Sequence, residues 1–259
     1  MSDAALQGVG VLVTRPRAQA ADLIAAIENE GGSVVCFPVI EIVPRATNVI
    51  QADVARLPKP DIVIFVSRNA VEYGLQYAGG AKTGAIGPST AAAILAAGHI
   101  VDICPQNGYD SESLLEEPAL KDVSGKQILI IRGNDGRELL AEMLTIRGAT
   151  VHYLSVYDRV LPQPSPELVA EVEAGSRNGD ISVVTVMSRQ SLDNLLTLLP
   201  DWCAARLEST PLVTPAARVI KEALDRHPAS RPILASGPGA NEMVEAIIAT
   251  HRTERGLAP

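Results

Sequence analysis

The sequence predicts an α/β fold with two doubly wound domains, each built on a parallel sheet. Short apolar runs alternate with amphipathic helical patterns along almost all of the 259 residues, which is the pattern of repeated βαβ units. The apolar runs are largely continuous, as expected for strands that are buried on both faces of a parallel sheet. Two extended segments interrupt the alternation about 110 residues apart, and they suggest that the chain has two parts.

The first part of the chain begins with a complete βαβ unit. A buried strand is predicted over Val9–Val13, followed by a helix over Ala18–Glu30 that ends at Gly31, since glycine favours the left-handed conformation that closes a helix. The strand Val34–Phe37 completes the unit. The same pattern predicts strands over Ile62–Val66, Ala85–Ile86, Ile100–Ile103, Ile128–Ile131 and Val151–Leu154, with helical stretches between them.

The alternation resumes after a proline-rich break at Leu161–Pro166. Strand-to-strand crossovers in such an arrangement are expected to be right-handed. The predicted helices are Pro166–Ala174, Gln190–Leu199, Ala216–Leu224 and Ala240–Thr250, and the predicted strands are Ile181–Val186, Leu212–Val213 and Ile233–Ala235.

The two interrupting segments predict the domain organisation. Pro38–Pro44 and Ser155–Pro162 are extended, rich in β-branched residues and closed by proline. We interpret residues 38–45 and 155–162 as two linker strands. An inserted domain would then cover residues 46–154, and a discontinuous domain would cover residues 1–37 and 163–259, each with a Rossmann- or flavodoxin-like sheet. The alternative is a single larger sheet with an irregular edge.

An internal repeat supports two similar domains. Ile64–Val71 resembles Val184–Leu192 in its apolar run, its Ser-Arg pair and the helical pattern that follows. Ala85–Ala91 is similarly echoed by Leu212–Arg218, where a short strand turns through proline close to a helix start. The repeat predicts that the strand ends of the two domains are built alike.

Composition excludes several classes of protein. The net charge of −8 and the pI near 5.1 leave no basic field for a polyanion, and the 3% aromatic content disfavours base stacking, so no nucleic acid partner is expected. No apolar run is long enough for a membrane span, and the start of the chain lacks a signal peptide pattern. Three cysteines and four histidines without ligand spacing predict no metal site. We expect a cytoplasmic protein and, because no heptad pattern demands association, a monomer.

Arginine follows the end of an apolar strand at four junctions, at Arg15, Arg68, Arg132 and Arg189. The carboxyl ends of parallel strands line the ligand crevice of an open sheet, where helix N-termini add positive charge. The repeated pattern therefore indicates an anionic ligand, although an arginine at any one strand end can also be simply solvated. Arginine exceeds lysine by 17 to 5, and its planar guanidinium suits carboxylate or phosphate.

The usual catalytic and phosphate-binding motifs are missing. The chain has no Gly-x-Gly-x-x-Gly after its first strand, no P-loop and no Gly-x-Ser-x-Gly. Ser67 and Ser188 have no identifiable base and are better interpreted as helix caps than as nucleophiles. The turn Ser236–Gly239 could cradle an anion, but it is equally an ordinary helix start. The sequence is therefore rich in hydrogen-bond donors and poor in catalytic groups, which indicates a binding cleft that shapes a reactive ligand.

Five short motifs follow one another along the chain: Val11–Pro16, Ile64–Val71, Ala85–Ala91, Ile130–Gly133 and Val156–Arg159. They occur in the order expected of the uroporphyrinogen-III synthase family, which the chain resembles over nearly its whole length. The resemblance implies two α/β domains joined by a two-stranded linker, with the substrate in the cleft between them. It also implies a cofactor-independent, cyclising hydro-lyase of tetrapyrrole (haem) biosynthesis. Hydroxymethylbilane, a linear tetrapyrrole with acetate and propionate on each pyrrole, would lose water, invert its last ring through a spiro intermediate and close.

The resemblance also implies roles for individual residues. Tyr157 corresponds to the family's candidate for assisting departure of the hydroxyl group; the alternative is a tyrosine that only packs between domains. The predicted substrate-binding residues are Ser67, Asn69, Thr90, Arg132 and Ser188, with Arg15 and Gly133 as further candidates, and no metal or cofactor is expected.

One predicted subsite departs from the family pattern. Thr214–Ala217 lacks the hydroxyl or basic residue expected just after its turn, and Arg218 comes later in the chain. Two other functions stay open. A non-enzymatic anion-binding or sensor protein would share the hinge and the arginines, and a nucleotide- or sugar-phosphate-handling transferase would share the anionic ligand. The enzyme of the preceding pathway step is a candidate partner.

Overall fold

The computed structural model describes residues 4–108, 110–136, 138–228 and 230–254. The chain divides into two compact units, which we call unit 1 (Met1–Glu41 with Leu161–Pro259) and unit 2 (Ile42–Val160). The strands are β1 Gly10–Val13, β2 Ser33–Cys36, β3 Glu41–Pro44, β4 Ile62–Phe65, β5 Lys82–Ala85, β6 Gln127–Gly133, β7 Thr150–Val160, β8 Val183–Thr185, β9 Leu212–Thr214 and β10 Pro232–Leu234. The helices are α1 Arg17–Asn29, α2 Thr47–Val54, α3 Arg68–Gly74, α4 Pro88–Ala96, α5 Ser111–Leu115, α6 Leu139–Ile146, α7 Pro166–Asn178, α8 Arg189–Leu198, α9 Asp201–Glu208, α10 Ala217–Arg226 and α11 Ala240–Glu254.

Unit 1 contains a five-stranded sheet in the order β10-β9-β8-β1-β2. All four neighbouring pairs are parallel. Counted within the unit, this is the 2-1-3-4-5 order of doubly wound flavodoxin-like sheets. One buried cluster holds strand residues such as Val11 and Val13 together with Leu23 and Ile27 of α1 and Ile247 of α11, so these two helices cover the same face of the sheet.

Unit 2 contains a second five-stranded sheet in the order β3-β7-β6-β4-β5. The pairs of β4 with β5, β4 with β6 and β6 with β7 are parallel. Alternate residues of β6 belong to different buried clusters: Leu129 and Ile131 to the cluster that contains α3 residues, and Ile128 and Ile130 to the cluster that contains α6 residues. The sheet is therefore buried on both faces, as its continuous apolar strands predict.

The predicted fold class is confirmed: both sheets belong to α/β units and are dominated by parallel pairs. Two separate sheets form, so the alternative of one larger sheet is wrong. The prediction of a strand over Ile100–Ile103 is also wrong, because only Ile103 makes an isolated bridge, to Gly84. The Asp102 carboxylate accepts the backbone N–H of Thr83 at 2.7 Å. A side chain, and not the backbone of a further strand, therefore satisfies this donor of the edge strand β5.

Parts of the two segments that we interpreted as linker strands form strands of the second sheet. β3 covers Glu41–Pro44 and lies at the edge of the sheet beside β7. β7 runs without a break from Thr150 to Val160, so the predicted strand Val151–Leu154 and the segment from Ser155 onward form one element. The division of the chain into domains with a two-stranded linker stays a prediction.

Candidate active site at the carboxyl ends of the central strands

In each sheet the chain first adds a strand on one side of a central strand and then returns to add the next strand on its other side. We call the gap between these neighbouring strands the strand-order reversal. In unit 1 this point lies between β1 and β8, and in unit 2 it lies between β4 and β6. Open α/β sheets bind ligands outside the carboxyl ends of the strands at such a point. Six of the predicted site residues follow or end these four strands, namely Arg15 after β1, Ser188 after β8, Ser67 and Asn69 after β4, and Arg132 and Gly133 at the end of β6.

Tyr157 lies beside this position in unit 2. β7 pairs with β6 residue by residue until Arg132 faces Ser155; Gly133 then faces Tyr157, so Val156 is an extra residue in β7. Such a bulge redirects the side chains that follow it. As a result Val156 and Tyr157 both pack in the cluster that contains the α3 residues. The Tyr157 side chain is almost fully buried, with 1% of its surface exposed.

Gly133 provides the space that the Tyr157 ring occupies. A Cβ atom added at Gly133 would lie 2.7 Å from Tyr157 Cε2 and 2.9 Å from Cζ, which is closer than side-chain packing allows. The ring of Tyr73 also faces Tyr157, with 6.3 Å between ring centroids. The position of the phenol ring therefore depends on a glycine at the end of the neighbouring strand.

Ser67 connects the Tyr157 hydroxyl to the start of α3. Ser67 is the N-cap of α3, and its Oγ accepts the backbone N–H of Ala70 at 3.0 Å. The same Oγ lies 3.0 Å from Tyr157 Oη. Capping fixes the serine oxygen relative to the helix, so the tyrosine hydroxyl is held by a group that is itself fixed. This confirms the helix-capping interpretation of Ser67 and adds a contact that the sequence did not reveal.

Arg132 is buried on the other face of the sheet from Tyr157. Its side chain is 8% exposed, and Nη1 donates to Glu138 Oε1 at 2.9 Å. Its guanidinium carbon lies 4.6 Å from the centroid of the Tyr153 ring, a cation–π distance. Tyr153 Oη in turn donates to Glu138 Oε2 at 2.6 Å. The arginine thus has both an aromatic and a carboxylate partner within unit 2.

The electrostatic consequences fall on Glu138 and Tyr153. Hydrogen bonds from Tyr153 and Arg132 lower the pKa of the Glu138 carboxyl group. Partial burial, followed by the bond to Glu138, raises the pKa of Tyr153 to about 12. Glu138 is therefore a carboxylate, and Tyr153 a neutral phenol, across the physiological range.

Sequence reasoning missed Glu138 and Tyr153. One signal was present, because an arginine at the end of an otherwise apolar strand requires a counter-ion if it is buried. Glu138 lies just before α6, and Tyr153 lies on the strand next to β6, opposite Ile130. The pairing of β6 with β7, which brings Tyr153 close to Arg132, cannot be extracted from local sequence patterns.

The two remaining predicted substrate-binding residues of unit 2, Asn69 and Thr90, lie in the first turns of helices. Asn69 is a partly buried residue in the first turn of α3. Thr90 lies in the first turn of α4 and is almost completely buried. Pro88 is the first residue of α4, as expected for proline at a helix N-terminus.

In unit 1, Arg15 is committed to internal contacts. Its Nε donates to the sulfur of Met187 at 3.2 Å, and Nη2 donates to the carbonyl of Pro238 at 2.5 Å. Burial lowers the pKa of the guanidinium, and Asp22 opposes this effect. Arg15 therefore joins the end of β1 to the glycine-rich turn that precedes α11.

Ser188 repeats the geometry of Ser67. It is the N-cap of α8, its Oγ accepts the backbone N–H of Ser191 at 3.1 Å, and it also lies 2.9 Å from Ser191 Oγ. The backbone angles of the two caps are nearly equal, with φ −168° and ψ 165° at Ser67 and φ −160° and ψ 166° at Ser188. The helix starts in the Ile64–Val71 and Val184–Leu192 repeat are thus built alike.

The second pair of repeated segments is not built alike. α4 starts at Pro88, but α10 starts at Ala217, two residues after Pro215. The buried Thr214 hydroxyl accepts the backbone N–H of Ala216 at 3.2 Å. Arg218 is exposed on α10. The helix over Ala216–Leu224 therefore starts one residue later than predicted.

Metal-binding and membrane-spanning features are absent from the described residues. In the described ranges, no group of three or more histidine, cysteine, aspartate or glutamate side chains is arranged to hold a metal ion. No helix within these same ranges is both long and apolar enough to span a membrane.

The fold and these contacts define a class of protein: an α/β protein with two doubly wound units whose central strands end at serine and arginine side chains. A protein-family model described as uroporphyrinogen-III synthase HemD matches residues 21–245. The chain belongs to the uroporphyrinogen-III synthase family.

Individual relatives agree with this assignment. The chain is 32% identical to uroporphyrinogen-III synthase of Salmonella typhimurium over 203 residues, covering 75% of this chain and 81% of that protein. The corresponding Escherichia coli protein is 31% identical over the same length and coverage. A solved structure of a mutant uroporphyrinogen III synthase from Thermus thermophilus has a TM-score of 0.63 at 19% identity, covering 95% of this chain and 99% of that chain. The Helicobacter pylori uroporphyrinogen-III synthetase structure has a TM-score of 0.60 at 14% identity, covering 93% and 99%. These two structures support the fold.

Proposed function

We propose that this chain is a uroporphyrinogen-III synthase that closes hydroxymethylbilane with loss of water and inversion of the last pyrrole ring. Family membership and the curated relatives support this activity. Neither the family model nor these relatives favour a non-enzymatic anion sensor. The structural observation that carries the chemistry is the Tyr157 hydroxyl, held 3.0 Å from the capping oxygen of Ser67 beside the strand-order reversal of unit 2.

Tyr157 is proposed to assist departure of the substrate hydroxyl group. Ser67 Oγ already accepts the Ala70 N–H, so its own hydrogen is available for Tyr157 Oη. The phenol hydrogen can then be donated to the leaving oxygen, provided that substrate binding exposes the hydroxyl of Tyr157, which is buried in the free protein. As the carbon–oxygen bond breaks, the hydroxyl takes up the phenol proton and leaves as water, which leaves an azafulvene cation and a Tyr157 phenolate. General acid assistance of this kind contributes about 10²-fold or more.

The later steps need positioning more than further catalytic groups. The substituted carbon of the last ring attacks the cation and gives the spiro intermediate. The bond from that carbon to its original bridging carbon then breaks, which leaves a second azafulvene cation. The free α-carbon of the inverted ring attacks this cation and closes the macrocycle, and the proton that it loses returns to the Tyr157 phenolate. Holding the two ends of the chain in this geometry favours inversion over simple closure. Substrate acetates and propionates are proposed to contact Arg132, Ser67, Asn69, Thr90 and the backbone of Gly133 in unit 2. Arg15 and Ser188 are the corresponding candidates in unit 1.

We also propose that the reaction requires no cofactor, since bond breaking and ring closure exchange only protons and water. The protein is proposed to act as a cytoplasmic monomer. The enzyme that supplies its unstable linear substrate remains a candidate partner.

The product isomer tests the proposed function. The purified chain is incubated with hydroxymethylbilane, the products are oxidised, and the porphyrin isomers are separated. Predominant type III supports the synthase, because spontaneous closure without inversion gives type I. Type I alone, at the rate found without protein, would leave either the anion sensor or the phosphate-handling transferase.

A further inference from the structure

Arg132 and Tyr153 direct two donors at one carboxylate. Arg132 Nη1 donates to Glu138 Oε1 at 2.9 Å, and Tyr153 Oη donates to Glu138 Oε2 at 2.6 Å. The Tyr153 ring also supports the guanidinium, 4.6 Å from its central carbon. A charged and a neutral donor that converge on the two oxygens of one carboxylate form a recognition site for that group.

The members of this cluster differ in exposure. The Arg132 side chain is 8% exposed, whereas the Glu138 side chain is 56% exposed. A buried cation is strongly destabilised when its partner leaves it unpaired. An exposed carboxylate, in contrast, is readily hydrated and contributes little to a surface ion pair. Simple opening of the pair is therefore unfavourable, but replacement of Glu138 by another carboxylate keeps Arg132 paired.

We propose that Arg132 and Tyr153 form a carboxylate-binding subsite that Glu138 occupies until a carboxylate of the ligand takes its place. Tyr153 is thereby assigned as the second donor of the subsite, and Glu138 as a positioning residue that keeps Arg132 oriented in the free protein. The inference rests on the proposed function, in which Arg132 binds a substrate acetate or propionate. It adds the second donor and an internal competitor to that contact.

The substitution Glu138→Gln tests directly whether a ligand carboxylate replaces Glu138 at Arg132 and Tyr153, which we call the exchange. Glutamine keeps the size of the side chain but removes its charge, so it competes less well for Arg132. Uroporphyrin III, a stable octacarboxylate, serves as the probe, and its dissociation constant is measured by fluorescence titration. We expect the dissociation constant to fall about threefold to tenfold. With hydroxymethylbilane, KM should fall by a similar factor while kcat stays nearly constant, since the contact is made in ground state and transition state alike.

Two further variants separate exchange from general charge effects. Glu142→Gln makes the same charge change at an exposed residue one turn after Glu138. A general charge effect would tighten binding in this variant too, whereas replacement of the Glu138 carboxylate predicts that both constants stay unchanged. Tyr153→Phe in the Glu138→Gln background removes the second donor, and it should raise the dissociation constant again at least threefold. Should Glu138→Gln not fold, Glu138→Asp should show a smaller decrease, because its shorter carboxylate cannot reach both donors.

The exchange is refuted if Glu138→Gln leaves the dissociation constant unchanged or raises it, if Glu142→Gln has the same effect, or if the native chain does not bind uroporphyrin III. Its failure is distinguishable from failure of the proposed function. A native chain that makes type III porphyrinogen but shows no tightening in Glu138→Gln retains the function and loses the exchange. A chain that yields only type I but shows the tightening retains the subsite and loses the function.

Discussion

The contact between Gly133 and Tyr157 restricts which residue can occupy position 133 in the candidate site. The phenol ring lies where a side chain at position 133 would be, within 2.7 Å of an added Cβ. With the ring packed this close to the backbone of β6, its hydroxyl lies 3.0 Å from Ser67 Oγ. Sequence resemblance placed both residues among the site candidates, but it gave no indication that one makes room for the other.

Gly133→Ala is therefore expected to displace Tyr157. The ring is buried and cannot move without repacking, so the free energy of unfolding should fall by about 1–3 kcal/mol. Turnover should fall too, because the hydroxyl loses its distance to Ser67. The matched control is Gly80→Ala, at a glycine where an added Cβ meets nothing within 4 Å. Thermal unfolding and initial rates of both variants provide the measurement, and equal effects at the two positions would contradict the packing argument.

Tyr157→Phe removes the hydroxyl and leaves the ring. The variant should fold normally, since its buried apolar surface is unchanged, while kcat falls about 10²-fold or more through loss of acid assistance. Binding of uroporphyrin III should change little. Tyr73→Phe, at the aromatic neighbour 6.3 Å away, is the control that should retain activity. A Tyr157→Phe protein with native kcat would remove Tyr157 from the mechanism and leave it a packing residue.

At the level of elements, the two serine-capped helices are the clearest success of sequence reasoning. The repeat of an apolar run, Ser-Arg and a helical pattern led to α3 and α8, whose caps have nearly the same backbone angles. A short side chain that caps a helix is a local feature, so local sequence can reveal it. The missing strand at Ile100–Ile103 shows the limit: an apolar, β-branched pattern is present, but Ile100 is exposed and Asp102 satisfies the sheet edge.

The two caps allow a matched pair of substitutions. Ser67→Ala and Ser188→Ala each remove one capping bond to a backbone N–H, and each should lower the free energy of unfolding by about 1 kcal/mol. Only Ser67→Ala also removes the contact with Tyr157 Oη. Urea unfolding measures the first effect. Absence of destabilisation in both variants would show that these serines do not act as caps in solution.

The bulge in β7 is the element that sequence could not supply. It adds Val156 between the partners of Arg132 and Gly133 and brings Tyr157 onto the α3 face of the sheet. Arg132, adjacent to Gly133 in sequence, points to the opposite face with Glu138 and Tyr153. The separation of Arg132 from Gly133 follows from the alternation of side chains along a strand. The register shift that brings Tyr157 beside Gly133, in contrast, depends on pairing between distant strands and has no local sequence signal.

At the level of the molecule, both units place the strand-order reversal at the strands that carry the arginine and serine junctions. Arg15 and Ser188 follow the two central strands of unit 1, and Ser67 and Arg132 belong to the corresponding pair in unit 2. The fold class could be predicted because it follows from the periodicity of buried strands. The partners of Arg15 could not, since Met187 and Pro238 lie far from it in the sequence. Glu138 is only six residues from Arg132, but the local pattern does not show that their side chains meet.

The isomer ratio of the porphyrin product tests the central claim most directly. Hydroxymethylbilane is supplied to increasing amounts of the unaltered chain, and type III and type I porphyrins are quantified after oxidation beside a sample without protein. We expect type III in excess, with an initial rate proportional to the amount of protein. Type I alone, formed at the same rate with and without the chain, would contradict the proposed synthase activity.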